Sequence, residues 1–285
     1  MHDIFDRYVR KIQTYTGFDE QAARASNLVG TIVHKPKIST ILSGTILGHP
    51  LHPALTDLPI GFWTSAMALD MCGGESSRRG AKTLIGMGVL SSIPTALTGM
   101  SDWSDTSETR KRIGAVHGLL NGGAVALYSL SWFARRRNQR TTGLALSLLG
   151  AVVVSGAAAL GGHLVYRKGV GVDVNSSYDD YVSEWKSATE HSLPNVPALL
   201  LRTEDAEVLS IDKPGELCGG IGARCSHRGG PLAEGRFTNG CVTCPWHGAI
   251  FRLSDGTVVS GPATAPQPQY EVRRSSGDTE LRRVP

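Results

Sequence analysis

Five cysteines in 285 residues are too few for a disulfide scaffold. Charge is also thin: Asp, Glu, Lys and Arg make up 19% of the chain, below the ~25% of ordinary soluble domains. The net charge of +4, from 29 Lys+Arg against 25 Asp+Glu, is too small and too scattered to mark a nucleic-acid surface. Aromatics reach only 6%, yet Leu, Val and Ala are plentiful enough to exclude global disorder. Residues 1–40 hold no apolar core of roughly 7–15 residues, so they do not read as a secretory signal. No internal repeat or low-complexity tract stands out. What the chain does have is segregated, with apolar runs in one half and clustered Cys and His in the other.

In residues 1–40, Ile4, Phe5, Tyr8, Val9 and Ile12 fall at helical spacing, which predicts a short amphipathic helix that either packs on the rest of the chain or lies on a membrane. Four apolar stretches follow: Ala54–Cys72, Thr83–Met100, Ile113–Ala134 and Thr141–Tyr166. The last three contain no Asp, Glu, Lys or Arg and are 18, 22 and 26 residues long. Crossing ~30 Å of hydrocarbon takes roughly 17–25 residues. The first stretch carries Asp57 and Asp70 near its ends, where charge costs least. Gly118-x-x-x-Gly122 permits close helix contact in lipid, and Pro59 and Pro94 are more tolerable there than in water. These features predict a transmembrane four-helix bundle, and a buried soluble bundle is the alternative.

The C-terminal part reads differently. Short alternating runs at Ala198–Arg202, Glu207–Ile211, Val258–Val259 and Tyr270–Arg273, punctuated by Pro, Gly and Asp255-Gly256, predict a small antiparallel β domain. Within it lies Cys225-Ser226-His227, then sixteen residues, then Cys244-Pro245-Trp246-His247. Two thiolates and two imidazoles can build a tetrahedral zinc site or a two-iron cluster with mixed ligands. Zinc fingers usually group Cys with Cys and His with His. Here each loop offers one of each, which suits an asymmetric cluster.

The longer pattern Cys225-Ser226-His227-Arg228-Gly229-Gly230-Pro231-Leu232, with Cys244-Pro245-Trp246-His247-Gly248, resembles the Rieske [2Fe–2S] family in its ferredoxin-like branch. Leu253-x-Asp255-Gly256 and Gly261-Pro262-Ala263 fit the same family, the latter as the proline-containing third loop over the cluster. The resemblance implies that Cys225 and Cys244 hold one iron and His227 and His247 the other, with Trp246 shielding the cluster or filling the small core. The respiratory and photosynthetic branch adds a cysteine to each cluster loop and supplies Ser and Tyr hydroxyls after the second histidine. This chain has no such cysteines, and the matching positions, Ala249 and Phe251, cannot donate. Fewer hydrogen bonds to the cluster imply a potential toward the low end of the Rieske range, about −150 mV. Cys72, Cys218 and Cys241 read as ordinary thiols.

If four spans run up and down, His49, His52, Asp57, Asp102, His117, Asn121 and His163 fall at one membrane face, from which the β domain also emerges. Polar groups at membrane depth are costly and often functional. His49, His52, His117 and His163 are therefore candidates for a site binding haem b, a quinone or a non-haem metal. Leu47-Gly48-His49-Pro50-Leu51-His52-Pro53, Asp57-Leu58-Pro59-Ile60-Gly61, Thr98–Trp103 and Gly161–Arg167 resemble a family of predicted four-span membrane proteins of unknown function over about residues 35–173. That resemblance implies a fold but no chemistry.

The chain thus reads as multi-domain, with an N-terminal all-α transmembrane four-helix bundle and a C-terminal all-β Rieske domain. The expected parts are an N-terminal amphipathic segment (1–40), the four-span domain (41–173), a linker (174–180) and the Rieske domain (181–285). Basic residues near the spans are evenly divided between the two faces, so the positive-inside rule is tied. The missing disulfide agrees with a reducing compartment and puts the Rieske domain on the cytoplasmic face of the cell membrane. The expected function is low-potential one-electron transfer between redox donor and acceptor proteins or quinone, in contact with membrane lipid and without nucleic acid. Alternatives are a membrane oxidoreductase acting on a lipid or quinone, and a membrane-anchored redox sensor. A soluble-type Rieske oxygenase is not the expected reading, because its large mononuclear-iron domain would have to find room after residue 285.

Overall fold

The computed structural model describes residues 2–176, 184–194, 196, 198–213, 216–275 and 277–284. Among the described residues there are seven α-helices and ten strands: α1 (His2–Thr14), α2 (Asp19–Val33), α3 (Pro36–Ser43), α4 (Leu51–Cys72), α5 (Arg78–Ser104), α6 (Glu108–Arg136), α7 (Arg140–Tyr166), then β1 (Lys186–Ser192), β2 (Ala198–Arg202), β3 (Glu207–Lys213), β4 (Glu216–Gly222), β5 (Arg236–Thr238), β6 (Cys241–Thr243), β7 (Ile250–Arg252), β8 (Val258–Ser260), β9 (Gln269–Ser275) and β10 (Asp278–Arg283). They fall into two units, Met1–Ile32 with Leu51–Val170, and Val33–Pro50 with Gly171–Pro285.

In the helical unit, α5, residues Thr109–Arg136 of α6, and α7 are long and apolar enough to cross a membrane. The expectation of four such spans is met by three. At 22 residues α4 is long enough, about 33 Å, but His52, Asp57, Pro59 and Asp70 dilute its hydropathy. Leu90, Leu119 and Val152 are 68%, 77% and 71% exposed, apolar surface that water would penalise and lipid would not. The predicted amphipathic helix is α1. Val9 is buried against Ile113, Leu160 and Leu164, with Phe5 and Ile12 beside it, while Ile4 and Tyr8 face outward. Its apolar stripe therefore packs on α6 and α7. Arg112 clamps the start of α2 through two bonds to the Asp19 carboxylate, at 2.7 and 2.5 Å, which hold that carboxyl below its ordinary range.

A repeat that the sequence did not reveal is plain in the helical unit. His52, Trp63, Ala66 and Asp70 of α4 correspond to His117, Tyr128, Ser131 and Arg135 of α6, each 65 positions later (52 to 117, 63 to 128, 66 to 131, 70 to 135). Gly88, Thr95 and Gly99 of α5 correspond to Gly150, Ala157 and Gly161 of α7, each 62 positions later (88 to 150, 95 to 157, 99 to 161). Counterparts meet one another. Trp63 stacks on Tyr128 with centroids 4.0 Å apart at 8°. Asp70 takes both Nη atoms of Arg135, at 2.9 and 2.6 Å, with each side chain only 5% exposed. His52 faces His117 at 6.5 Å. Residues that touch their own counterparts lie on a pseudo-two-fold axis. The repeat escapes a sequence reading because only His52/His117 and two glycine pairs are identical, while the other paired positions differ, Trp for Tyr, Ala for Ser, Asp for Arg and Thr for Ala. Arg135 is a buried partner in the last turn of α6.

The second unit is built on a closed barrel in the order β1-β10-β9-β4-β3-β2 and a four-stranded sheet β5-β6-β7-β8. The four expected strand runs fall within β2, β3, β8 and β9. Residues Ala198–Leu201 of β2 are all buried because the strand separates two cores. Leu199 and Leu201 join Val208, Tyr270 and Leu281, whereas Leu200 joins Leu209, Ile221, Leu232, Val242 and Phe251. Asp255-Gly256 makes the expected turn between β7 and β8, with Gly256 at φ 68° and Arg252 N bonding Thr257 O at 3.0 Å.

Helix α3 and the 3-10 turn Thr45–Leu47 were expected partly in the N-terminal segment and partly in the membrane domain, yet they group with the β unit. The reason is local: Thr45 Oγ1 donates to Gly261 O at 2.6 Å and Ala263 O at 2.9 Å, and Gly261 N donates to Thr40 Oγ1 at 3.0 Å. From residue 177 onward the expected linker lies outside the described residues.

Candidate metal centre

Two loops of the same construction carry the C-terminal motif. One leaves β4 and the other joins β6 to β7. In each, the cysteine N–H bonds the carbonyl five residues on, Cys225 to Gly230 at 2.9 Å and Cys244 to Ala249 at 2.8 Å. In each, the cysteine carbonyl accepts from a glycine four residues on, Gly229 at 2.7 Å and Gly248 at 3.1 Å. Both glycines have positive φ, 75° and 73°, which lets the chain turn back tightly over its own cysteine.

This folding buries Cys225 and Cys244 and leaves His227 and His247 half-buried. The two thiols share a hydrogen bond. It pulls Cys244 down to about 6, helped by the backbone N–H groups of Trp246 and His247, and pushes Cys225 up. The N–H groups of His227 and Arg228 also point at the Cys225 sulfur. Such donors favour thiolate ligands. The His227 and His247 rings sit 5.2 Å apart at 88°. Burial, followed by the charges of Arg228, His247 and His34, holds His227 well below its ordinary value, so it is a neutral ligand-ready imidazole. The donors therefore come as a sulfur pair and a nitrogen pair. Among the described residues, no three His, Cys, Asp or Glu side chains gather at one ion position.

Gly230 has no room for a side chain, because a Cβ there would lie 2.8 Å from Cys244 Sγ and 3.1 Å from Trp246 Cδ2. Trp246 is 56% exposed, so it does not fill the core. The third loop, Gly261-Pro262-Ala263, is buried, and a Cβ on Gly261 would meet Ala249 Cα at 2.8 Å. Ser226 Oγ ties the first loop to Ala265 O at 2.7 Å. Thr40, Thr45 and His34 were missed by sequence reasoning, since they lie about two hundred positions from the loops they serve and carry no motif. Ala249 and Phe251 are fully buried. Cys72 is exposed and Cys241 half-buried, both free thiols; the Cys218 side chain lies outside the described residues.

The four histidines expected at one membrane face are divided. His52 and His117 meet in the helical unit. His163 stands edge-on to Phe5 at 6.1 Å instead. His49 belongs to the β unit, with Nδ1 3.2 Å from Pro50 O. Asn121 reaches His117 Nε2 at 3.1 Å, and Asp57 is exposed.

Comparison with known proteins matches residues 48–174 to the family described as "Predicted membrane protein (DUF2231)" and residues 183–271 to the Rieske [2Fe-2S] domain. The ferredoxin subunit of 3-phenylpropionate/cinnamic acid dioxygenase from Escherichia coli K12 is 34% identical over 79 residues, covering 27% of this chain and 74% of the relative. Human apoptosis-inducing factor 3 is 28% identical over 116 residues, covering 35% of this chain. The chain spans only 19% of that protein's length. Among solved structures, the plasma membrane Rieske protein PetC3 of Synechocystis PCC 6803 shares 26% identity and covers 30% of this chain and 85% of its own, with a TM-score of 0.25. The helical half thus matches a predicted membrane family, the β half implies a [2Fe–2S] cluster and supports an iron–sulfur electron carrier, and through that half the chain belongs to the Rieske [2Fe-2S] family.

Proposed function

We propose that this chain is an integral-membrane electron carrier in which Cys225 and Cys244 bind one iron of a [2Fe–2S] cluster and His227 and His247 the other. The observation that carries this reading is the pairing of the donors, two buried thiols sharing a hydrogen bond and two imidazoles 5.2 Å apart on matched loops. When bound, the cluster supplies one-electron chemistry. The protein buries the sulfur side and leaves the histidine side less fully covered, which directs electron exchange to the edge formed by His227 and His247. Trp246, lying over Gly230, covers the approach beside Cys244.

Four spans remain the best topology. α4 is the counterpart of α6, and contacts between counterparts carry it through the same depth. The Rieske domain faces the cytoplasm, where the thiol of Cys241 stays reduced. Its partners are redox proteins, by analogy with the dioxygenase ferredoxin subunit named above, and the buried, hydroxyl-free Ala249 and Phe251 set a potential near about −150 mV. EPR and redox titration of the detergent-purified chain test this. A Rieske signal lost in His227→Ala and a potential below zero are expected. Stoichiometric zinc with no iron would overturn the assignment, and a potential above roughly +100 mV would refute the low-potential reading.

A further inference from the structure

The pseudo-two-fold axis of the helical unit passes between His52 and His117, and each histidine is held by the same device. His52 Nδ1 lies 2.9 Å from Thr95 O, and His117 Nδ1 lies 2.8 Å from Ala157 O, the counterpart of Thr95. One turn further along, each ring rests on a glycine. A Cβ on Gly99 would stand 2.7 Å from His52 Cε1, and one on Gly161 would stand 3.0 Å from His117 Cε1. A carbonyl can only accept, so each Nδ1 carries the proton and each neutral Nε2 presents a lone pair. Asn121 confirms the tautomer by donating to His117 Nε2 at 3.1 Å. Fixing Nδ1–H on a carbonyl is the usual way a protein orients an imidazole for metal ligation. It was built here twice.

We propose that His52 and His117 are the two axial ligands of a single haem. Three observations select haem from the chemistries available to two imidazoles. The first is spacing. Two metal–nitrogen bonds of about 2 Å, with about 1 Å from each nitrogen to its ring centre, put ligand centroids about 6 Å apart; these are 6.5 Å apart. The second is donor number. No third His, Cys, Asp or Glu joins the pair among the described residues. A bare ion bound by two imidazoles is under-coordinated, whereas haem iron needs only two axial ligands, its other positions being filled by the porphyrin. The third is proton placement. Nε2 lone pairs cannot donate to a quinone oxygen, which removes the quinone alternative for this pair. In the packing, α4 lies against α5 and α6 against α7, while contact between α4 and α7 is sparse. Asn121 also donates to His117 O at 3.0 Å and keeps that bond when iron takes the lone pair.

The proposal rests on the helical unit alone, so it can fail while the cluster assignment stands. The full chain, expressed with ample haem and purified in detergent, should give a pyridine haemochrome equivalent to one haem per chain and a Soret band beside the Rieske spectrum. His52→Ala and His117→Ala should each abolish the Soret band and leave the Rieske EPR signal intact, with unchanged monodisperse elution showing that the variants fold. Two results would overturn it: parent protein with a full Rieske signal but no Soret band even after titration with haemin, or a Soret band retained by the double variant. Retention of the band with loss of the Rieske signal would support the haem while contradicting the cluster reading.

Discussion

Each of the four motif residues in the β unit does its work through backbone that other residues shape. Cys225 and Cys244 are positioned by turns that need Gly229 and Gly248 at positive φ, and their sulfurs are aimed by N–H groups of the residues that follow. Ala249 occupies the position where a related branch carries a hydroxyl, and its carbonyl receives the Cys244 N–H. Ala249→Ser therefore adds a donor beside the cluster loop and should raise the midpoint potential by tens of millivolts, measurable by redox titration. Asp255 shows a different residue-scale effect. Hydrogen bonds from the Thr257 hydroxyl and N–H, then from Arg252, hold its carboxyl at about 2 against an ordinary 3.8. A depressed folded value means that its stabilisation is complete above about pH 4 and disappears as pH falls toward 2. Asp255→Asn should bleach faster than the parent at pH 6, with the two rates converging near pH 2. The proposed ligand residues were legible because their spacing follows the Rieske motif. Thr40 and Thr45 were not, since a lone threonine carries no such signal.

At the scale of elements, apolar length predicted helices well and membrane character less evenly. α5, α6 and α7 are uncharged through their centres, but α4 mixes span length with polar residues whose partners only the fold supplies. Asp70 is the clearest case, a buried acid whose partner Arg135 sits 65 positions away. Removing one member of a buried pair strands the other, at a cost of about 3–5 kcal/mol, whereas replacing both with apolar residues can be neutral. Asp70→Leu should lower the detergent melting temperature sharply, and Asp70→Leu with Arg135→Leu should recover most of the loss. Equal destabilisation by the single and double changes would show that the pair is not coupled. β2 teaches the complementary lesson: its run of apolar residues reads as a strand, but only the two cores explain why it does not alternate.

At the scale of the whole molecule, sequence order and structural grouping diverge. The segment Val33–Pro50 belongs with the β unit although nearly all of the helical unit separates them along the chain. Its hydroxyls hold the third loop, so the cluster region draws on both ends of the sequence. Thr45→Val keeps the shape of the side chain and removes the donor to Gly261 and Ala263. It should shorten the half-life of the cluster signal in air several-fold without changing the amount of folded protein; an unchanged half-life would show that the clamp does not matter.

The sequence by itself determined the division into an apolar helical half and a β half, the Rieske motif and its four donors, because local spacing and periodicity carry those signals. Only the tertiary structure decided the rest: which histidines meet, which acid meets which arginine, that two helix pairs repeat one another, and that α3 joins the β unit. Those facts depend on contacts between residues far apart in sequence, where no local pattern records the partner.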